Sequence, residues 1–270
     1  MTNSLIGGVG IYLPEKILSN DDISKFVDTS DEWIFERTGI KQRHVAAETQ
    51  LTSDLALEAS LSAINHAGIQ SSEIDLIILA TSTPDQVFPS TAVKLQDLLG
   101  LRSGAGFDIH AVCSGFIYAL STADSFIKSG NYNKILVVGS ETYSRILDWN
   151  DRTTCVLFGD AAGAFVIESN NNSADQSGII DSIIRSDGQF RTKLFCDGGP
   201  SMIAKSNHYI NMDGKEVYKH AVEKQTAVVE ELLARTKTDI NDIDWFVPHQ
   251  ANLRILDTTA KKLNLDKNKI

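Results

Sequence analysis

Phe107-Asp108-Ile109-His110-Ala111-Val112-Cys113-Ser114-Gly115-Phe116-Ile117-Tyr118-Ala119-Leu120 is the stretch whose reading decides the fold. An alternating segment runs into a cysteine. Behind it Phe116, Ile117, Leu120, Ala123, Phe126 and Ile127 fall three and four apart, one face of an α-helix that Gly130-Asn131 ends. Lys134 to Gly139 then reads as a buried strand, so the unit is strand, sharp turn, helix, strand. Cys113 falls at the helix N-terminus, where unpaired N–H groups and the helix dipole favour negative charge. Its thiol is therefore expected to ionise easily. Gly115 lets another backbone or a substrate come close, which is the logic of a nucleophile elbow without its G-x-S-x-G letters. A small buried hydrophobe is the competing reading of a free cysteine.

The chain of 270 residues, 42% hydrophobic, can bury a large core as one α/β domain or two fused halves. A net charge of −10 argues against a nucleic-acid-coating protein, so an anionic ligand must meet a local basic patch. Cys113, Cys155 and Cys196 are widely spaced with no CxxC pair, which suggests neither a disulfide framework nor a zinc site, and no metal is expected. Met1 to Gly10 has no basic n-region or long apolar h-region, and no apolar run is long enough to span a bilayer. The expected location is the cytoplasm.

Along the chain, Ser4 to Tyr12 reads as β-like and Asn20-Asp21-Asp22 as the cap of a short helix through Val27. Asp31 to Gly39 is a helical turn bringing Trp33 and Arg37 together four residues apart. Ser53 is expected to cap a helix from Leu55 to Ala67, followed by a strand Leu76–Ala80 and a helix Thr91–Leu99. Asn170 to Asp175 is the clearest linker, separating residues 1–170 from 171–270, and beyond it Ile179 to Arg185 looks like a strand. A long helix Glu216–Ala234, a strand Trp245–Val247 and a helix Leu253–Leu263 complete the chain. The order of long helix, Ile-Asp, apolar strand, polar loop and helix occurs twice, with Ile74-Asp75 and Ile243-Asp244 offset by 243 minus 74, or 169. Such self-similarity marks a duplicated unit. The counterpart of Cys113 would fall near 113 plus 169, or 282, so the second half is expected to be incomplete at its C-terminus.

His249 ends the second-half strand, the place where α/β sites collect functional groups. With Cys113 it forms a candidate Cys/His pair about a pseudo-twofold axis. The chain here resembles the thiolase-fold condensing enzymes, and within them the β-ketoacyl-acyl-carrier-protein synthase III family. The matching motifs are Asp31-Glu32-Trp33 with Arg37-Thr38-Gly39-Ile40, Thr83-Pro84-Asp85 with Phe88-Pro89-Ser90, and Ala111-Val112-Cys113-Ser114-Gly115-Phe116. They continue through Leu147-Asp148-Trp149 with Asp151-Arg152, Phe158-Gly159-Asp160, and Pro248-His249-Gln250-Ala251-Asn252-Leu253-Arg254, covering nearly the whole chain in order. Ala161 stands where the family has glycine, and Phe195 to Pro200 departs from its pattern.

The resemblance implies a duplicated, layered αβαβα thiolase-like fold and a decarboxylative Claisen condensation that starts fatty-acid synthesis. Cys113 would take the acyl group from an acyl-CoA, with acetyl-CoA the expected donor, and malonyl-acyl-carrier-protein would be the acceptor. His249 would hydrogen-bond the malonyl thioester oxygen, jointly with an asparagine in a Gly-Asn-Thr-Ser-like segment not found in these residues. Trp33 would stack on the adenine of coenzyme A beside Arg37 and Arg152. Phe88 would bound a partner's acyl pocket across a homodimer interface. Lys219, Arg254 and Lys261 would form the basic patch for the carrier protein. No cofactor is implied beyond the coenzyme A thioester as substrate. The rival expectations are a related acyltransferase of secondary metabolism and a non-catalytic truncated form.

Overall fold

The computed structural model describes residues 3–170, 172, 177–202 and 207–270. In order the elements are β1 (Asn3–Tyr12), β2 (Lys16–Ser19), α1 (Asn20–Ser24), α2 (Asp31–Thr38), β3 (Gln42–Val45), α3 (Thr52–Ala67), β4 (Leu76–Ala80) and α4 (Thr91–Leu98). They continue with β5 (Ala105–Ile109), α5 (Gly115–Lys128), β6 (Lys134–Thr142), β7 (Asp160–Asn170), β8 (Leu194–Cys196), β9 (Ile210–Met212), α6 (Gly214–Thr236) and α7 (Leu253–Leu263). The described residues form two compact units, each assembled from several stretches: the chain up to Lys16 with His44–Tyr143 and Gly159–Ile184, and Ile17–Arg43 with Ser144–Phe158 and Arg185–Ile270.

The first unit is built on a five-stranded sheet in the order β1-β7-β6-β4-β5. β4 runs parallel to both β5 and β6, whereas β7 is antiparallel to β6 and to β1. Every residue of β4 is buried, as expected of a strand covered on both faces. Its alternating side chains divide between two cores. Ile77 and Leu79 pack with Leu55, Ala59 and Ala63 of α3, while Leu76, Ile78 and Ala80 pack with Ala119, Ala123 and Ile127 of α5. α3 approaches β1 so closely that a Cβ on Gly10 would lie 2.1 Å from the Ala59 carbonyl oxygen, so only glycine fits there. Asp108 on β5 accepts the Thr91 and Ala92 N–H groups at 2.7 and 2.8 Å, which fixes the start of α4 beside the cysteine strand.

In the second unit, Ile23 and Ile34 pack with Cys155 and Val156 beneath Trp33 and Trp149. The buried Arg43 guanidinium donates to Leu18 O, Asn20 Oδ1 and Val156 O, and Asn20 in turn donates to Asp31 Oδ1 and Ile40 O. Helices α6 and α7 pack on each other, joined by a Tyr218–Thr258 hydroxyl contact of 2.8 Å. β8 and β9 form a separate antiparallel pair.

Several local expectations change. Ser19 rather than Asn20 caps α1, in a reciprocal box with Asp22, because Asn20 is drawn inward by Arg43. Helix α3 starts at Thr52, one residue ahead of Ser53, with the Asp54 carboxylate closing back on the Leu51 N–H. Ile179–Arg185 is not a strand, although the Ile179 N–H donates to Ser4 O on β1. Trp245–Val247 is not a strand either. Phe246 donates to Lys269 O, but Trp245 and Val247 remain 69% and 83% exposed with no ladder beside them, and a short apolar run alone does not make a strand. Of the expected linker Asn170–Asp175, Asn170 is the last residue of β7 and Asn172 is described, while the other four residues lie outside the described residues. The 169-residue offset has a local echo: single 3₁₀ turns at Ser71–Glu73 and Ile240–Asp242 each follow a residue in the left-handed conformation, Gly68 and Lys237, also 169 apart.

Candidate active site

In the first unit β5 ends at Ile109 and the chain turns through Val112–Ser114 into α5. Val112 has a φ of 49°, left-handed and unusual for a β-branched residue. Backbone strain of this kind costs on the order of 1–3 kcal/mol and gathers at functional sites. Cys113 is the next residue, so the elbow anticipated from Gly115 is present and strained one position before the sulfur. Gly115 itself meets β4: a Cβ there would stand 3.0 Å from the Ala80 Cβ.

Cys113 is exposed as a residue, open to a ligand. The expectation of an easily ionised thiol is overturned, however. Burial on the protein side of the sulfur pushes the thiol up, the Cys113 backbone N–H opposes this, and the Glu141 carboxylate adds to it. Burial and like charge therefore outweigh that backbone donor, and α5 itself begins two residues later, at Gly115. Cys155 is fully buried, and its thiol is pushed up to about 11, chiefly by burial. It is core, not chemistry.

Glu141 was not legible as a site residue. It sits near the end of β6 and accepts the Ser82 N–H at 2.8 Å and the Thr83 hydroxyl at 2.6 Å. An acid following the buried run Ile135–Val138, in Gly139-Ser140-Glu141, was the available signal.

In the second unit α2 presents Trp33 and Arg37 from one turn. Ser30 caps the helix through the Trp33 N–H, and Gly39 ends it. The Arg37 guanidinium lies 4.5 Å and that of Arg152 lies 5.1 Å from the Trp33 ring centroid, so the three residues expected to act together do meet. Arg152 is braced by donating to Asp28 O at 2.9 Å. The result is an indole flanked by two cations, a platform suited to a flat aromatic bearing phosphates. Because Ser30 seats this helix, Ser30→Ala should lower stability by about 0.5–2 kcal/mol, read as a denaturation midpoint shift with an unchanged m-value.

His249 lies in an irregular stretch just before α7, a helix whose N-cap is Asn252, accepting the Arg254 N–H at 2.9 Å. Burial lowers the imidazole below its ordinary range, so it is neutral near pH 7 and carries one N–H to donate. Lys219 on α6 and Arg254 and Lys261 on α7 are all exposed. Arg254, Thr258 and Lys261 follow four and three apart along α7, and Thr258 is the residue that bonds Tyr218 of α6. In the first unit, Phe88 and Val87 are 82% and 72% exposed on the loop before α4. Among the described residues no group of three or more His, Cys, Asp or Glu side chains is placed to hold a metal ion. Among the described residues no helix is long and apolar enough to cross a membrane.

The family model for 3-oxoacyl-[acyl-carrier-protein] synthase III matches residues 107–188, and the model of its C-terminal part matches 233–270. A β-ketoacyl-[acyl-carrier-protein] synthase III of Rhodospirillum centenum is 54% identical over 99% of this chain and 83% of its own length. Its counterpart in Agrobacterium fabrum is 52% identical over 100% of this chain and 84% of its own. Among solved structures, the 3-oxoacyl-[acyl-carrier-protein] synthase III of Aquifex aeolicus superposes with a TM-score of 0.92 at 45% identity, covering 98% of this chain and 82% of that one.

Proposed function

Because the chain belongs to the β-ketoacyl-[acyl-carrier-protein] synthase III family, we propose that it joins an acyl group from acyl-CoA to malonyl-acyl-carrier-protein with loss of carbon dioxide, initiating fatty-acid synthesis. In the first half-reaction the Cys113 sulfur attacks the thioester carbonyl, the bond to coenzyme A breaks, and the departing thiolate takes up the proton that Cys113 gives up. In the second, the malonyl group loses carbon dioxide and its carbanion attacks the Cys113 thioester, returning the sulfur and leaving a β-ketoacyl-carrier-protein. The two steps share one sulfur, so ping-pong kinetics follow. The Cys113 N–H is one donor for the tetrahedral oxyanion. The neutral His249 imidazole donates its N–H to the malonyl thioester oxygen as enolate charge builds.

The observation that carries this reading is the exposed Cys113 on an elbow strained at Val112. Acetyl-CoA is the donor we assign, with Trp33, Arg37 and Arg152 holding its nucleotide portion. Trp33→Ala should raise the KM for acetyl-CoA about tenfold, which is about 1.4 kcal/mol of lost stacking, and leave the KM for malonyl-acyl-carrier-protein unchanged. Lys219, Arg254 and Lys261 are assigned to the acidic carrier protein, and the cytoplasm is the location that fits these substrates.

The chain is also assigned to a homodimer. β5 is an edge strand of half-exposed residues, an open row of backbone groups suited to pairing with a second copy, and Phe88 projects from the same unit to bound the partner's acyl pocket. Residues 1–170 and 171–270 are read as two thiolase-like halves, on the strength of the repeated helix end and 3₁₀ turn. The direct assay is carbon dioxide release from labelled malonyl-acyl-carrier-protein. Release coupled to acetyl-CoA consumption supports the reading, and a chain that releases none with any acyl-CoA refutes it.

A further inference from the structure

Val87 and Phe88 stand exposed at the tip of the loop between β4 and α4, whereas the stem of that loop is fastened on both sides. Side chains so open gain little from packing within their own chain, so the stem sets where they stand. On the β4 side the Thr83 hydroxyl donates to Glu141 at 2.6 Å and accepts the Thr142 N–H at 2.9 Å, and the Thr83 carbonyl accepts the Thr52 hydroxyl at 2.6 Å. On the α4 side Ser90 caps the helix through the Val93 N–H, and Asp108 of β5 accepts the Thr91 N–H at 2.7 Å. The two sides meet at Asp85. Its N–H donates to the Thr91 hydroxyl at 3.3 Å, its Oδ1 accepts the Ser53 N–H from the start of α3 at 3.0 Å, and its Oδ2 accepts the Lys94 Nζ from the first turn of α4 at 2.7 Å. Residues 86–89 are the span left between these anchors.

The Asp85 side chain is 3% exposed and that of Lys94 34%, so water and salt screen this pair less than a surface bridge. Burial pushes the Asp85 carboxyl up, but the Lys94 ammonium and the Ser53 N–H together outweigh it and hold the group below the ordinary carboxylate range. Without Lys94 a buried carboxylate would lose its counter-charge, and the loop would move to find water for it. Helix α4 has separate anchors, since Ala92 and Leu95 sit in the core with α3. Opening the pair therefore loosens the loop and leaves the helix seated.

Resting on the reading that Phe88 bounds an acyl pocket, we propose that the Asp85–Lys94 pair is a clasp that positions the tip and thereby limits the length of acyl chain the enzyme accepts. Both are positioning residues that act through Phe88. With the clasp closed the ring is held in one place and a short acyl group fits beside it; with the clasp open the ring gives way to a longer one.

The test measures kcat/KM for acetyl-, butyryl- and hexanoyl-CoA in the full chain as wild type, Lys94→Met, Lys94→Arg and Asp85→Asn, beside hydrogen exchange at the backbone amides of residues 86–88. Methionine keeps the apolar stem of Lys94 and removes its charge. The hexanoyl-to-acetyl ratio should rise about three- to tenfold in Lys94→Met and in Asp85→Asn, within the range that hydrophobic pockets achieve on chain length, and exchange at the tip should quicken in both. Lys94→Arg, which keeps the pair, should stay with wild type. The double variant should move the ratio no further than the larger single change, because both substitutions open one clasp. Should Asp85→Asn fail to fold, Lys94→Met, at a residue one-third exposed, carries the test. A uniform loss with every donor makes the pair a brace for the fold alone and overturns the proposal. So does an Arg variant displaced as far as Met, or either readout coinciding with wild type in the uncharged variants. Phe88→Ala in the same panel keeps this separate from the reading beneath it. A ratio that Phe88→Ala moves and neither clasp variant moves removes the clasp and leaves Phe88 at the pocket. A ratio that Phe88→Ala leaves unmoved removes the pocket reading and the length selection with it, while the exchange measurement, which needs no turnover, still decides whether the clasp holds the tip.

Discussion

Cys113→Ala abolishes the acyl-enzyme and lowers condensation of acetyl-CoA with malonyl-acyl-carrier-protein by about 10⁴-fold or more, while the protein keeps its fold. The size follows from the role. A nucleophile that divides one difficult step into two easier ones has no substitute when its atom is removed, and losses of this order are seen when acyl-transfer nucleophiles are deleted. That factor corresponds to about 5.5 kcal/mol of transition-state stabilisation. The fold survives because Cys113 is an exposed residue outside the buried cores on either face of the sheet. Steady-state turnover with a matched denaturation curve checks both halves of the statement. A variant that turns over within tenfold of wild type would place the chemistry elsewhere.

His249→Ala separates the half-reactions. Condensation should fall about 10²–10³-fold, the usual loss on removing a donor to a developing oxyanion, while transfer of acetyl from acetyl-CoA to Cys113 should change by less than threefold. The pH dependence has a definite sign. Burial lowers the His249 imidazole, so the neutral ring persists to lower pH than a free imidazole would. The acid limb of condensation assigned to its protonation should therefore lie below the ordinary histidine range and vanish in His249→Ala. Single-turnover acylation and condensation, measured separately across pH, distinguish this from a general loss of structure. Equal losses in both half-reactions would remove His249 from the enolate step.

The parts of the fold legible in the sequence were those governed by local periodicity and caps. The run Leu76–Ala80 reads as a buried strand because all five side chains enter the two cores. Helix α5 is legible because Phe116, Leu120, Ala123, Phe126 and Ile127 recur at helical spacing and pack on the sheet, although Ile117, read onto the same face, is 48% exposed and Ala119, not in that reading, is buried. Trp33 and Arg37 are one turn apart on α2, so local spacing already joined them, whereas Arg152 comes from more than a hundred residues away, and only the motif match placed it with them.

What stayed illegible depended on contacts distant in the chain. Asn20 has the composition of a cap, but the Arg43 side chain claims it, so Ser19 takes the capping role. Trp245–Val247 has the letters of a strand, yet pairing is a property of neighbours and not of the segment. The thiol is the sharpest case. A helix N-terminus can be read from sequence, but the desolvation of the sulfur and the anion at Glu141 arise only when β4, β6 and the elbow converge, and together they reverse the expected direction.

The central claim is that Cys113 carries the acyl group, and intact-protein mass spectrometry after incubation with acetyl-CoA tests it most directly. The account predicts a gain of one acetyl group, mapped to the peptide containing Cys113, lost in Cys113→Ala and removed again by malonyl-acyl-carrier-protein. An acetyl group found on Cys196 or another residue instead, or a mass that stays unchanged with every acyl-CoA offered, would contradict it.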